Sequence, residues 1–261
     1  AIGSARDAYS LGVDRIGRRL VYAAFHVDAD IWRMPGPEST QEIEATPFIR
    51  STRNEGAPSY SPDGLHVAFR SDRAGGSNVW MTDADGSNPQ QFTYEEWANQ
   101  PQWSPRGDAV VYQRILLGGG GLSDIFVKGL RDAQPVPITK DGSNKGLPIF
   151  SPDGDWIFYC QANEQSSAGE DWEVWKVPSG GGQTLKVAGN GEGPRAVDDR
   201  FVYFHRGPEA FEPGQVWRVP REGGEESLVL SDPVWGMEWT LWRSKLLYID
   251  RSQPGGPVMR V

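Results

Sequence analysis

The chain has 261 residues, 38% of them hydrophobic, with 11 Trp, 10 Phe and 8 Tyr to fill a core and 32 Gly and 20 Pro to make turns, a balance that excludes disorder. The net charge of −9 excludes wrapping of nucleic acid and docking on anionic lipid, both of which need clustered Lys and Arg. No run approaches the roughly 18 apolar residues of a membrane-spanning helix, and the lone Cys160 excludes an intramolecular disulfide.

In chain order, the first unit (11–53) carries a turn at Asp14-Arg15-Ile16-Gly17, then Tyr22, then Asp30-Ile31-Trp32. The second (54–96) is the clearest. There Gly56 to Tyr60 reads as a short inner strand, and Ser61-Pro62-Asp63-Gly64 as a turn in which Pro sets φ and Gly supplies a positive one. His66-Val67-Ala68-Phe69-Arg70 alternates as a second strand, Asn78-Val79-Trp80-Met81-Thr82 is a third, and 89–93 is an outer strand where proline is tolerated. The third unit (97–143) repeats the turn as Ser104-Pro105-Arg106-Gly107, followed by Tyr112 and Phe126, with a glycine-rich insert at 116–122. The fourth (144–190) has Ser151-Pro152-Asp153-Gly154, Tyr159 and Trp175, with a long hairpin at 161–172. The fifth (191–234) keeps Phe204 and Trp217, and the sixth (235–261) keeps Tyr248 and Met259.

The first aromatic series, Tyr22, Phe69, Tyr112, Tyr159, Phe204 and Tyr248, is spaced by 47, 43, 47, 45 and 44 residues. The second series, Trp32 to Met259, follows it by 10 to 16 residues each time, so two independent markers keep one count. Such a period with four short strands per unit predicts an all-β fold, a six-bladed β-propeller of four-stranded antiparallel blades in a single domain. The last unit stops at its third strand, so residues 1–10 are expected either to complete it and latch the ring or to leave a fragment with an unfinished blade.

Most of the polar clusters carry no recognisable chemistry. Asp83-Ala84-Asp85-Gly86-Ser87-Asn88 begins like a calcium loop but has Tyr94 where the bidentate glutamate belongs, and it reads as a turn. His26, His66 and His205 fall in different units, without zinc spacing. There is no Gly-x-Ser-x-Gly elbow, and the glycine runs at 118–121 and 189–193 open no helix that could hold a phosphate. Adjacent carboxylates such as Glu95-Glu96 and Asp198-Asp199 point to opposite faces of a strand, which prevents joint action on one substrate. Cys160 reads as a strand residue, and the polar series Asp30, Asn78, Asp124, Glu173 and Gln215 as hairpin or backbone partners. No metal, no cofactor and no catalytic residue is expected. The candidate ligand site is the channel mouth, lined by the segments that enter each inner strand: Asn54, Glu55, Trp97, Asn99, Gln100, Asn144, Lys145, Glu192 and Trp235.

The Pro-x-x-Ser-Pro-Asp-Gly unit, with Phe69-Arg70-Ser71-Asp72-Arg73, Val79-Trp80-Met81, Asp85-Gly86-Ser87-Asn88 and Phe92-Thr93, resembles the TolB-like (WD40-like, PD40) propeller repeat along essentially the whole chain. Asp30-Ile31-Trp32-Arg33-Met34-Pro35, Glu173-Val174-Trp175-Lys176-Val177-Pro178 and Gln215-Val216-Trp217-Arg218-Val219-Pro220 resemble propellers at the C-terminal end of bacterial winged-helix regulators. For TolB the resemblance implies a periplasmic propeller that binds partner proteins, for the regulators a sensory domain, and for the prolyl oligopeptidase class a gate on a separate hydrolase. The expectation is a non-catalytic scaffold for a protein, peptide or small ligand, with a propeller enzyme or gating domain as the alternative.

Overall fold

The structure is a computed structural model that describes residues 8–13, 20–24, 29–33, 46–95, 97–116, 122–163, 171–207, 213–234, 239–242, 245–250 and 258–260. Its strands are β1 (Ala8–Val13), β2 (Leu20–Ala24), β3 (Ile31–Arg33), β4 (Thr46–Ile49), β5 (Glu55–Tyr60), β6 (His66–Ser71), β7 (Asn78–Asp83) and β8 (Gln90–Gln91). They continue with β9 (Ala98–Trp103), β10 (Ala109–Ile115), β11 (Ser123–Gly129), β12 (Val136–Pro137), β13 (Lys145–Phe150), β14 (Trp156–Ala162), β15 (Trp172–Pro178) and β16 (Leu185–Ala188). The last are β17 (Glu192–Val197), β18 (Phe201–Arg206), β19 (Gly214–Pro220), β20 (Ser227–Val234), β21 (Trp239–Trp242), β22 (Lys245–Asp250) and β23 (Val258–Arg260).

Four sheets have four antiparallel strands in sequence order: β5–β8, β9–β12, β13–β16 and β17–β20. They flank two-stranded sheets β1–β2 and β3–β4 and a three-stranded sheet β21–β23. This is an all-β propeller of four-stranded antiparallel blades. Of the two expectations for residues 1–10, completion of the last unit is not met by Ala8 and Ser10, which pair with Ala24 and Ala23 of β2. The reason is the spacing seen in the second unit, where β5 runs directly into the Ser61 turn. In the same way β1 immediately precedes the turn sequence 14–17, and its ladder with β2 sets residues 8–13 beside β2.

The Ser-Pro-Asp-Gly turns are held by their own side chains. Asp63 accepts the Leu65 N–H at 3.0 Å and Ser61 Oγ accepts the His66 N–H at 2.9 Å. Asp153 and Ser151 repeat both bonds at 3.0 Å. Where Arg106 replaces the aspartate, Asp108 takes over as the acceptor for the Ser104 hydroxyl at 2.7 Å. The closing Gly64, Gly107 and Gly154 all adopt positive φ, from 71° to 80°, which is why glycine recurs there.

The second strands β6, β10, β14 and β18 are buried on both faces. In each, the aromatic faces the preceding sheet and the residue beside it faces the next. Thus Val67 and Phe69 pack with Ile31 and Ile49, while Ala68 packs with Val110 and Tyr112. Val111 packs with Ile157 and Tyr159, Phe158 with Val202 and Phe204, and Tyr203 with Trp239. Period-two alternation therefore assigns the two faces to two neighbours. The two aromatic series meet across the ladder as Phe69↔Trp80, Tyr112↔Phe126, Tyr159↔Trp175 and Phe204↔Trp217, a cross-strand pair that adds to burial. Arginines lie over several of these rings, with Arg73 5.0 Å from the Trp80 centroid and Arg206 4.8 Å from that of Trp217.

The polar residue at the start of the third strand ties it to the segment of the fourth in four units and bonds within its own strand in the fifth. Thr93 Oγ1 donates to Asn78 at 2.9 Å and Thr139 Oγ1 to Asp124 at 2.8 Å, and each threonine oxygen also accepts a third-strand N–H. Lys186 donates to Glu173 at 2.6 Å and Arg50 to Asp30 at 2.9 Å, while Gln215 accepts the Trp217 indole N–H at 3.1 Å. Cys160 is buried and donates to the Gly146 carbonyl, and burial pushes its thiol up to about 12, so it has no thiolate character near neutral pH.

Phe204 is fully buried between two blades, and Phe204→Ala is expected to cost about 3–5 kcal/mol, read as a lowered urea midpoint. The Ser151 hydroxyl, aided by Arg221, holds Asp153 down to about 2 from an ordinary 3.8. A carboxyl lowered on folding contributes stability that is present above pH 3.8 and is lost as pH falls through about 2. Melting temperature followed across that window should therefore fall less steeply for Asp153→Asn than for the unaltered chain.

Candidate functional site

The inner strands β5, β9, β13 and β17 share one irregularity. Ala57, Gln100, Leu147 and Gly193, with φ of 49°, 53°, 50° and 67°, each stand directly before a proline: Pro58, Pro101, Pro148 and Pro194. Left-handed backbone disfavours a residue with a Cβ by about 1–2 kcal/mol, and a following proline disfavours helical backbone further. The ladders slip register at these places, between Gly56 and Ser59, Gly146 and Ile149, and Glu192 and Pro194. They are β-bulges, at which proline costs no ladder donor and the strand re-aims its side chains.

Successive bulges touch. The Leu147 N–H donates to Gln100 Oε1 at 2.8 Å. A Cβ on Gly193 would lie 2.0 Å from Leu147 Cδ1, so glycine is required where the Leu147 side chain seats.

The bulges surround a cavity of about 630 Å³ along the channel, lined from β5, β9, β13, β17, β21 and β22. Apolar surface comes from Tyr60, Leu147, Ile149, Trp239 and Tyr248, and polar groups from Ser59, Gln100, Gln102, Arg195 and Thr240. Arg195 is half-buried, and desolvation holds its pKa below the usual arginine value. Among the described residues that line the cavity there is no Asp or Glu.

Of the nine residues expected at the mouth, Gln100 lines this cavity. The others described are placed in joints between strands and blades. Glu55 is 3% exposed, accepts from Ser51, Ser71 and Arg73 at 2.7, 2.9 and 3.0 Å, and sends its N–H to the Ala29 carbonyl of the preceding unit. Lys145 is fully buried, with Nζ on Asp141, on Asp124 at 3.3 Å and on the Ser143 carbonyl at 3.0 Å. Asn144 accepts the Ser123 hydroxyl at 2.6 Å, and the Asn54 N–H donates to Asp72 at 2.9 Å. Trp97, 39% exposed, bridges to Ser77, and Asn99 faces Gln113 on β10. Glu192 Oε2 lies 3.1 Å from His205 Nδ1, whose Nε2 is 3.0 Å from the Val234 carbonyl. Trp235 lies outside the described residues. The polarity that recurs at these positions thus reflects the joining of strands and blades, since each inner strand must satisfy backbone groups where it leaves its neighbour.

The remaining candidates take equally local roles. Asp85 accepts the Ser87 N–H at 2.8 Å and Asp83 the Asn88 amide at 2.7 Å, so the calcium-like stretch spends these oxygens on its own turn. His66 is partly exposed beside Asp83, and His26 lies outside the described residues. Among the described residues no group of three or more His, Cys, Asp and Glu could hold a metal. Gln102, Arg195 and Trp239 were not singled out by sequence, although the recurring X-Pro dipeptides 57–58, 100–101, 147–148 and 193–194 mark their strands.

No family model matches the chain. It is 43% identical over 146 residues to the uncharacterized protein Atu1656 of Agrobacterium fabrum, covering 47% of this chain and 46% of that protein. It is 21% identical over 167 residues to the uncharacterized peptidase YuxL of Bacillus subtilis, covering 50% of this chain and 25% of the peptidase. The match therefore spans less than half the length of either relative. Among solved structures, a TolB from Agrobacterium tumefaciens superposes with a TM-score of 0.66 at 18% identity, over 88% of this chain and 83% of that one. A propeller in a nidogen/laminin complex gives 0.64 at 12% identity, over 87% and 84%. A prolyl endopeptidase gives 0.55 at 14% identity, over 93% of this chain and 39% of that one. These likenesses show a TolB-like β-propeller fold.

Gly193→Ala is expected to destabilise the chain, because the new methyl group meets Leu147 and the backbone stays left-handed. Strain of about 1–2 kcal/mol adds to the displacement of Leu147, and the comparison is a urea denaturation against Gly189→Ala, which meets only the flexible end of Lys186.

Proposed function

We propose that this chain is a non-catalytic binding or sensory propeller whose central channel takes a protein segment or a small ligand. In this reading β1–β4 form the first blade and β21–β23 the sixth, so that one six-bladed ring encloses the channel. The observation that carries the reading is the cavity of about 630 Å³, built by inner strands of five successive sheets and floored by aromatic and polar side chains. Tyr60 is 54% exposed in that lining, an aromatic left to solvent where a ligand would cover it. The TolB and nidogen likenesses support a role in protein interaction, and the three segments that resemble winged-helix regulators motivate the sensory one.

A second reading has a specific observation behind it. The match to YuxL covers 25% of that peptidase and the prolyl endopeptidase likeness covers 39% of its chain, as a propeller gating a separate hydrolase would. The scaffold reading is preferred for this chain because the polar groups Glu55, Lys145 and Glu192, expected at the channel mouth, are occupied by Ser71, Asp124 and His205 of neighbouring strands.

A thermal-shift screen with peptides, sugars and small acids tests both. The expected result is a rise in melting temperature with one class that disappears in Tyr60→Ala and persists in Leu65→Ala, an exposed residue away from the channel. Turnover of chromogenic peptide substrates by the purified chain would overturn the non-catalytic assignment.

A further inference from the structure

Three blades cover their third-strand aromatic with a guanidinium. Arg73 lies 5.0 Å from the Trp80 centroid, Arg114 5.1 Å from that of Phe126 and Arg206 4.8 Å from that of Trp217. In two of them the arginine stands two residues past the second-strand aromatic, Arg114 after Tyr112 and Arg206 after Phe204. It also faces the polar residue of the third strand, Asp124 or Gln215. An oxygen from the end of the preceding unit closes the other side. Arg114 Nε donates to Glu95 at 2.8 Å, and Arg206 Nε to the Asn190 carbonyl at 2.6 Å. The guanidinium is thus held between a ring and an acceptor at the boundary between two sheets.

The fourth blade keeps the ring and the acceptor but has another residue in the arginine position. Gln161 stands two residues past Tyr159 and faces Glu173, and Asp141 follows Thr139 by two residues as Glu95 follows Thr93. Asp141, Gln161, Glu173 and Trp175 line a cavity of about 590 Å³. Among the described residues no Lys or Arg is placed over the Trp175 ring. The stretch 164–170, between Asn163 and Asp171, contains no Lys or Arg in its sequence. Glu173 is engaged by Lys186, the cation of the lining, at 2.6 Å and by the Trp175 indole N–H at 3.1 Å, so the ring face is what Trp175 has to offer. The bonds of Asp141 to Ser143 and Lys145 all go to Oδ1, and its side chain is 48% exposed, which leaves Oδ2 as an acceptor. Gln161 Oε1 is buried and has no donor among the described residues, the mark of a place that suits a donor-rich group. We propose that this cavity, between the sheets β9–β12 and β13–β16, binds an external guanidinium in the place that Arg114 and Arg206 fill in their own blades. The cation lies over Trp175 and donates to Asp141, and its charge complements a chain of net charge −9. The site shares no described lining residue with the channel cavity and goes beyond the channel reading. An arginine side chain of a protein partner and a small guanidinium compound present the same group.

The test is titration of the isotope-labelled chain with N-acetyl-arginine methylamide, with the uncharged citrulline counterpart and with methylguanidinium. Binding is followed by NMR at the Trp175 indole N–H, a signal identified by its loss in Trp175→Phe, the residue type that Phe126 supplies in the third unit. The arginine derivative is expected to shift that signal saturably and to bind at least about tenfold more tightly than the citrulline one, since the charged hydrogen bond and the cation over the ring are lost together. Methylguanidinium binding as tightly as the arginine derivative would name a small guanidinium compound as the source, and weaker binding would name an arginine side chain; both support the site. Gln161→Arg, checked for folding by circular dichroism, supplies the guanidinium from the chain itself and should abolish the shift. Equal binding of the arginine and citrulline derivatives would overturn the inference. So would undiminished binding by Gln161→Arg, or the lack of a saturable shift with all three probes. The arginine and citrulline comparison is made on the unaltered chain, so a folding defect in Gln161→Arg cannot shelter the proposal.

Discussion

The structure depends on the double-sided burial of the second strands β6, β10, β14 and β18. Phe69, Tyr112, Tyr159 and Phe204 are all fully buried, and each is covered by a neighbouring sheet rather than by its own. A blade alone would expose both faces, and the apolar area lost to water on stacking is the main source of stability. Everything else in the fold is arranged around keeping these faces in register. The Ser-Pro-Asp-Gly turns set where the second strand begins, the Asn78–Thr93 and Asp124–Thr139 bonds clip the outer strand, and arginines cover the exposed edges of the aromatic pairs.

Stacking in this manner brings the inner strands together at an axis, where the chain departs from regular geometry. Regular strands would continue the ladder to the β6, β10, β14 and β18 partners and alternate evenly. The left-handed residue before proline breaks that alternation at Ala57, Gln100, Leu147 and Gly193. Strain that recurs at equivalent positions in four blades is held by the contacts between them, such as Gln100 with Leu147 and Leu147 with Gly193. The outcome is a channel wall with irregular side-chain presentation, which a set of flat strands would not provide.

Charge follows the same division of labour. Carboxylates are used where strands must be joined, as Glu55 with Arg73, Asp124 with Lys145 and Asp153 with Arg221 across two blades. The buried pairs are satisfied by several further hydrogen bonds, the condition under which burying an ion is tolerated. Among the described residues the channel lining consists of amides, hydroxyls, aliphatic and aromatic side chains and the Arg195 side chain.

Much of the fold was legible in the sequence, because turn chemistry and strand alternation are local properties. The two aromatic series marked the second and third strands of the units, where the ladders then pair them, and the Ser-Pro-Asp-Gly motif predicted the turns. The polar series Asn78, Asp124 and Glu173 was legible as partners within the hairpins for the same reason. The site was less so. Glu55, Lys145 and Glu192 look like channel residues in sequence, since polar side chains at the start of every inner strand suit a wet mouth. Only the tertiary structure decides between facing water and facing a neighbouring strand, and it makes Glu55 and Lys145 buried joints and Glu192 a half-buried one. Likewise Arg195, Gln102 and Trp239 come from three different strands, and no periodicity in one strand states which residues of another share its cavity. Alternation and turn residues determined the blades. The meeting of distant bulges, which depends on how the blades stack about the axis, decided the channel.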